Sequence, residues 1–297
     1  MTQIDLSQYP APSVLENLSF EKILGEIKTH FLSQFPTDEI AAARSNSPTR
    51  ANMEALFEIE GNLIVKTLQA YAYHALQMRA RVNDAAKSTM LAYATGSDLD
   101  NLAAFYMVER KANESDADLR ARLILATDGF STAGPIGAYR FHGLSAHDDV
   151  KDVSIKSPKP GEVLATVLSK TGNGTPKRAV LDAVKTALNA EDVRPLSDTI
   201  SVQAASIEEY AVVAKIWCFE TADYEACRQA ATKAVTQYVT FTHRLGFAVT
   251  ESGLKAALHQ AGVQRVDLIS PAATLSKTTG EAAFCTGVSV TYEGIDV

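Results

Sequence analysis

The stretch VKDVSIKSPKPGEVLATVLS, Val150–Ser169, is where the chain changes its periodicity. Val150, Val153 and Ile155 precede a turn-forming SPKPGE, and the run Val163–Leu168 comes after it. Two short β-branched runs joined by Pro and Gly read as a pair of strands. Almost everything before them repeats at helical spacing, and the chain beyond them mixes strands with helices. This places the chain in the α+β class, with an all-helical N-terminal half and small mixed α/β subdomains after it.

Upstream, Pro10 and Pro12 make residues 1–18 an extended arm. An amphipathic helix is expected over residues 20–34, with Ile23, Ile27, Phe31 and Leu32 on one side and Pro36 beyond its end. Ser45–Pro48, SNSP, is turn chemistry. From Thr49 to Thr95 there is no Pro, and the only Gly is Gly61. Met53, Phe57, Ile64, Leu68, Tyr71, Ala75, Met78, Val82, Ala86 and Met90 recur there at helical spacing, which predicts one long helix. A second stripe carries Leu56, Ile59, Leu63, Ala70 and Tyr73. A long helix apolar on two faces needs more cover than short neighbours supply. Either a bundle within the chain or another protein chain provides it, and in the second case Leu56, Ile59, Leu63 and Tyr73 are expected at the contact. Gly96 stops this helix, Ser97 caps the next, and Ser115 caps a further one with Asp116 and Asp118 in its first turn and Arg120 and Arg122 later. A last helix is expected over residues 137–146.

Downstream, a helix carries Val180, Leu181, Val184 and Leu188, then strands are expected at residues 200–204 and 210–219. The second of these is apolar on both faces, with Tyr210, Val212, Ala214 and Ile216 on one and Val213, Trp217 and Phe219 on the other, so it reads as covered on both sides. Helices over 224–244 and 252–261 and strands at 263–269 and 288–292 complete the chain. VKDVSIKSP at Val150 is echoed by VQRVDLISP at Val263, which suggests a repeated helix–strand–strand unit. The expected division is an arm at 1–18, a helical domain at 19–147, and α/β subdomains at 148–206 and 207–297.

The next residues, VLSKTGNGTPKR, Val167–Arg178, look like chemistry. Lys170-Thr171-Gly172 matches the third motif of serine β-lactamases, and Ser19-Phe-Glu-Lys22 matches the first, but no Ser-Asp-Asn lies between them. The stricter phosphate-loop pattern is also missing. A looser anion site remains open: Thr175 reads as an N-cap, Pro176 as the first helical residue, and Lys177 and Arg178 fall in a first turn where the helix dipole disfavours cations. A bound anion or an acidic partner surface would relieve that, so Lys170, Lys177 and Arg178 are candidate interface residues; a plain turn is the alternative. His142 and His147 are five apart, off metal-ligand spacing, and His243 and His259 have no recognisable partners. Glu208-Glu209 and Asp148-Asp149 read as solvated turn charges. No nucleophile, base and orienter assemble, so neither a catalytic, a metal nor a cofactor-binding set is expected.

Composition agrees. The 297 residues are 46% hydrophobic and 21% charged, ordinary for a globular chain long enough for two domains. A formal charge of −7 disfavours general nucleic-acid binding. Cys218, Cys227 and Cys285 form no CxxC pair and suit a reducing compartment. Neither a signal peptide nor a membrane insertion is expected.

The order of several segments carries a resemblance. ATGSDLDNLAAFYMVER at Ala94–Arg110, DADLRARL at Asp116–Leu123, the stretch from Ala138 to Ser169, VRPLSDTISV at Val193–Val202 and LGFAVTESGLKAALHQAGVQRVDLISP at Leu245–Pro271 resemble the baseplate J-like proteins of contractile phage tails and tail-like bacteriocin particles. The likeness runs from about residue 50 to the end. One departure is Met107, where the pattern L-D-x-L-A-x-x-x-G-x-x-R has Gly. The resemblance implies a non-enzymatic structural protein without cofactors, made in the bacterial host cytoplasm. It implies that two copies pair with another wedge subunit, and that wedges join in a ring around the central hub and spike and contact the sheath-initiating protein. The alternatives are a cell-wall hydrolase of a tail particle and a soluble anion- or ligand-binding module.

Overall fold

The computed structural model describes residues 15–59, 61–131 and 134–295. Residues 1–14, most of the expected arm, lie outside them. The chain divides into two compact units, the first ending at Met107 and the second starting at Val108.

The first unit is helical. Its helices are α1 (Phe20–Ser33), α2 (Glu39–Ser45), α3 (Arg50–Ala55), α4 (Leu63–Ser88) and α5 (Gly96–Phe105). Ser19, Asp38, Thr49 and Asn62 each accept a first-turn N–H, at α1, α2, α3 and α4 in turn, as small polar N-caps do. The expected continuous helix over Thr49–Thr95 is therefore corrected. After α3 the chain tightens into a 3₁₀ turn at Leu56–Glu58 and breaks, and Asn62 Oδ1 accepts from Ile64 N at 2.8 Å to start α4 afresh. The far end differs too: α4 stops at Ser88, and Gly96, with φ +53°, begins α5 behind Thr95 instead of ending a helix, so Ser97 is not the cap.

The core of this unit is thin. Ile23 and Leu24 of α1 pack on Ala72 of α4, flanked by Phe20, Ile27, Leu68, Ala75 and Leu76. Asn83, buried on α4, holds the chain ahead of α1 through both amide atoms: Glu16 N donates to Oδ1 at 3.1 Å, and Nδ2 donates to Glu16 O at 2.9 Å.

The second unit holds α6 (Asp116–Gly129), α7 (Ile136–Ser145) and two sheets. The first sheet comprises β1 (Val150–Lys156), β2 (Glu162–Ser169) and β3 (Thr199–Ala204) in that order, with α8 (Arg178–Leu188) crossing from β2 to β3. β1 runs antiparallel to β2, with Val153 opposite Val167, and β2 runs parallel to β3, with Ala165 opposite Val202. Val153, Ala165, Val167, Val184 and Leu188 close this core, and Tyr139 of α7 joins it.

The second sheet has β4 (Ser206–Cys218) between β5 (Val263–Ser270) and β6 (Glu281–Ile295), with α9 (Tyr224–Thr242) and α10 (Glu251–Leu258) over one face. Its middle strand also has one antiparallel and one parallel neighbour. The V-x-x-V-x-[IL]-x-S-P echo thus falls on β1 and β5, the antiparallel edge strands of the two sheets. The strand after each copy is placed differently: β2 pairs with β1 directly, whereas β6 lies beyond β4.

β4 also corrects the expectation of two covered faces. Val212, Ala214, Ile216 and Cys218 are buried against α9 and α10, but Val213 and Trp217 are only half-buried and Phe219 is half-exposed. The Arg265 guanidinium lies over the Trp217 ring, 4.3 Å from its centroid, held by Asp267 at 2.6 Å. A long cationic side chain covers apolar surface while its head stays wet.

Candidate assembly surfaces

On α4, successive residues turn by about 100°. With Ala72 against α1, Tyr71, Met78 and Val82 fall together on one flank, Tyr73 falls on the other, and Leu63 lies on the side away from Ala72. All five are more than half exposed, from Met78 at 53% to Leu63 at 79%. Ile59, in the break ahead of α4, is exposed as well, and Leu56 is half-buried in the 3₁₀ turn. The break separates Leu56 and Ile59 from the helix that bears Leu63 and Tyr73, so the second stripe of the sequence is not one continuous surface. The first stripe, whose period suits a core face, turns Tyr71, Met78 and Val82 outward.

The Val167–Arg178 loop is built from below. Ser169 is fully buried, and its hydroxyl donates to Asp149 Oδ2. Thr171 N donates to Asp149 Oδ1 at 3.1 Å, and its hydroxyl to Oδ2 at 3.1 Å. Burial works against the Asp149 charge, but these three donors hold its carboxyl below the usual range. Asn173 Nδ2 donates to Glu209 Oε1 at 2.9 Å. Asp149 is thus an anchor and not a solvated turn charge, whereas Asp148, Glu208 and Glu209 are exposed as expected, the last two on β4, with Glu208 meeting Lys277. Gly174, at φ +99°, lies so close to His243 that a Cβ would sit 2.9 Å from Nε2. Asn173 Oδ1 accepts from Thr175 N at 3.2 Å, so Thr175 is spent in the turn. The expected Thr175 cap and Pro176 start are corrected: Lys177 is the cap residue, without a side-chain bond, and Arg178 opens α8. Lys170, Lys177 and Arg178 are all exposed, and Arg178 faces Asp182 at 3.7 Å.

The other candidates have structural partners. Ser19 Oγ accepts from Lys22 N at 3.3 Å as the α1 cap. His142 Nε2 lies 3.1 Å from Gly129 O, and His147 Nδ1 accepts from Asp149 N at 3.0 Å. His243 is buried with Nδ1 2.8 Å from Ala283 O, and burial holds its pKa below the ordinary value. Among the described residues no three His, Cys, Asp or Glu cluster as a metal site would need.

One constellation escapes the sequence reading. Arg122, which by position alone balances a helix dipole, is buried against buried Glu114 with NH2 2.7 Å from Oε2 and Nε 2.9 Å from Oε1. It also donates to Glu109 O at 2.6 Å, while Arg110 bonds Glu114 O at 2.9 Å and Asp116 at 2.7 Å. Burial opposes the Glu114 charge, but the Arg122 fork and the Lys111 amide hold its pKa below the usual range. Nothing in helical periodicity marks such a knot. Close to it in sequence, Met107 has φ +56°, the left-handed region, at the position where the resembled pattern has Gly.

Two family models match, the Baseplate J-like N-terminal domain over residues 60–116 and the Baseplate J-like central domain over residues 131–204. "Baseplate protein J" of Escherichia phage P2 is 40% identical over 311 residues, covering 100% of both chains. Among solved structures, a chain of the anti-feeding prophage baseplate is similar at a TM-score of 0.39 and 14% identity over 60% of this chain and 43% of that one, a likeness too partial to bear on function. No helix among the described residues is long and apolar enough to cross a membrane. The ordered motifs and the full-length match together show that this chain belongs to the baseplate J-like family and is a structural component of a tail baseplate.

Proposed function

We propose that the chain acts by being buried: it is a wedge subunit whose first unit is completed by other chains. The observation that carries this is the outward row of Tyr71, Met78 and Val82 on α4, with Ile59, Leu63 and Tyr73 also exposed. Large apolar side chains grouped on one element of a soluble protein tend to mark a partner surface. A near-heptad row on a long helix packs well beside another helix. A second copy of the chain, or another wedge subunit, is the cover this row suits. In this reading the wedges form a ring around the central hub and spike and meet the sheath-initiating protein, and Leu56, Lys170, Lys177 and Arg178 extend the contacts. The chain does no chemistry of its own.

The test is a pair of double variants, Tyr71→Asp with Met78→Asp and Ile59→Asp with Leu63→Asp. Each is expected to leave the isolated chain folded, by circular dichroism, and to abolish its entry into particles. Normal particle yield from both would overturn the reading. A penicillin-type acylating probe is expected to leave Ser19 unlabelled, and labelling lost in Ser19→Ala would restore the hydrolase alternative.

A further inference from the structure

A second surface lies far along the sequence, at the end of α9. Phe241 and Phe247 are exposed, 52% and 40%, and meet edge to face with ring centroids 5.7 Å apart. The Arg244 guanidinium lies 4.7 Å from the Phe241 centroid and 5.8 Å from that of Phe247. Among the described residues neither Arg244 nor its neighbour Lys151 has an ion pair. Two carboxylates act on Lys151, Asp118 and Asp152. Asp118 accepts from the Ser115 hydroxyl at 2.9 Å. Asp152 is buried and already engaged: it takes Arg140 at 3.1 Å and the amides of Val153 at 2.9 Å and Leu245 at 3.2 Å. Burial lowers the Lys151 pKa and the nearby Arg244 charge lowers it further, and Asp118 and Asp152 offset this only in part.

The patch is also held rigidly. Gly246 N donates to Glu281 O at 3.0 Å, His243 is bonded to Ala283 O, and Phe247 N donates to Arg244 O at 3.4 Å. Preorganised aromatic and Arg side chains are the composition of an interface centre.

We propose that Phe241, Arg244 and Phe247 form a docking site for an Asp- or Glu-bearing segment of a different baseplate subunit, whose carboxylate meets Arg244 and Lys151 while an adjoining apolar side chain lies on the two rings. This rests on the assembly reading above. The excess of cation at the patch selects a carboxylate. A second copy docked two-fold through the same patch is the wrong occupant, because it would bring Arg244 onto Arg244. Nucleic acid is wrong too, since a chain of net charge −7 repels a phosphate backbone and the patch offers it two cations.

The test uses intact particles in which Phe247 is replaced by the photo-crosslinker p-benzoylphenylalanine, with the same probe at Tyr71 as a control. The expected product is a crosslink from position 247 to a peptide of another subunit with Asp or Glu within a few residues. Arg244→Glu is expected to lower infectious titre by about tenfold or more while the purified chain melts normally. Reversing the crosslinked acid to Arg should restore the titre in the Arg244→Glu background. A crosslink to a second copy, to nucleic acid, or to nothing while position 71 crosslinks would overturn this proposal alone. Absence of the unmodified chain from particles would overturn the assembly reading with it.

Discussion

The two units of this molecule solve the same problem differently. In the second, apolar residues close on one another: Ile216, Leu254 and Leu258 are fully buried between a sheet and its helices, and Val153, Val167 and Leu188 do the same in the neighbouring sheet. In the first, Ile23, Leu24 and Ala72 make up the buried centre of the α1–α4 contact, while Tyr71, Met78 and Val82 on the same helix face outward. Burial of a large side chain stabilises by roughly 1.5–3 kcal/mol, and an exposed one forgoes that. The second unit surrounds two sheet cores with such residues, although Phe241 and Phe247 stay at its surface, whereas the α1–α4 contact buries few; in the proposed reading partners supply the rest.

The contrast can be broken most forcefully at Glu114. Glu114→Ala leaves buried Arg122 without its carboxylate, a loss of about 3–5 kcal/mol, seen as a large fall in Tm of the isolated chain. Next, Leu254→Ala should cost about 3–4 kcal/mol in denaturant titrations, whereas Leu24→Ala, in the thinner core, should cost about 2 kcal/mol. Equal costs would mean that the first unit is as well closed as the second. Met107→Gly should stabilise by about 1 kcal/mol, because it relieves a left-handed backbone at an exposed site. Unchanged stability there would place the strain elsewhere.

The smallest effect is in pH. The folded Asp149 carboxyl is depressed, so its contribution is present above the unfolded value of about 3.9 and is lost as pH falls through the folded value. The Tm difference between wild type and Asp149→Asn should therefore be constant at neutral pH and shrink on acidification below about pH 4. A difference that persists at lower pH would show that the Asp149 charge does not anchor the loop.

Much of the architecture is legible in residue order. The Ser115 cap, the helix over 136–145 and the strand pair around SPKPGE come from local chemistry that tertiary contacts do not overrule. The break at residues 59–62 is signalled by Gly61-Asn62, but a continuing apolar period on both sides hides it. The start of α8 is misread from sequence because Asn173, not a helix, claims the Thr175 amide. The Arg122–Glu114 knot is beyond reach, since a charged residue at helical spacing reads the same whether it meets water or a buried partner. Which apolar stripe of α4 meets α1 is equally hidden: both stripes have helical period, and only packing separates them.

The central claim is that the outward row of α4 is covered in the particle, and hydroxyl-radical footprinting at Met78 and Tyr71 tests it directly. Oxidation would be compared between the isolated chain and purified particles, with buried Met53 as the internal reference. The account predicts fast oxidation of both residues in the isolated chain and strong protection in the particle, with Met53 slow in both. Equal oxidation of Met78 and Tyr71 in the two states would contradict it.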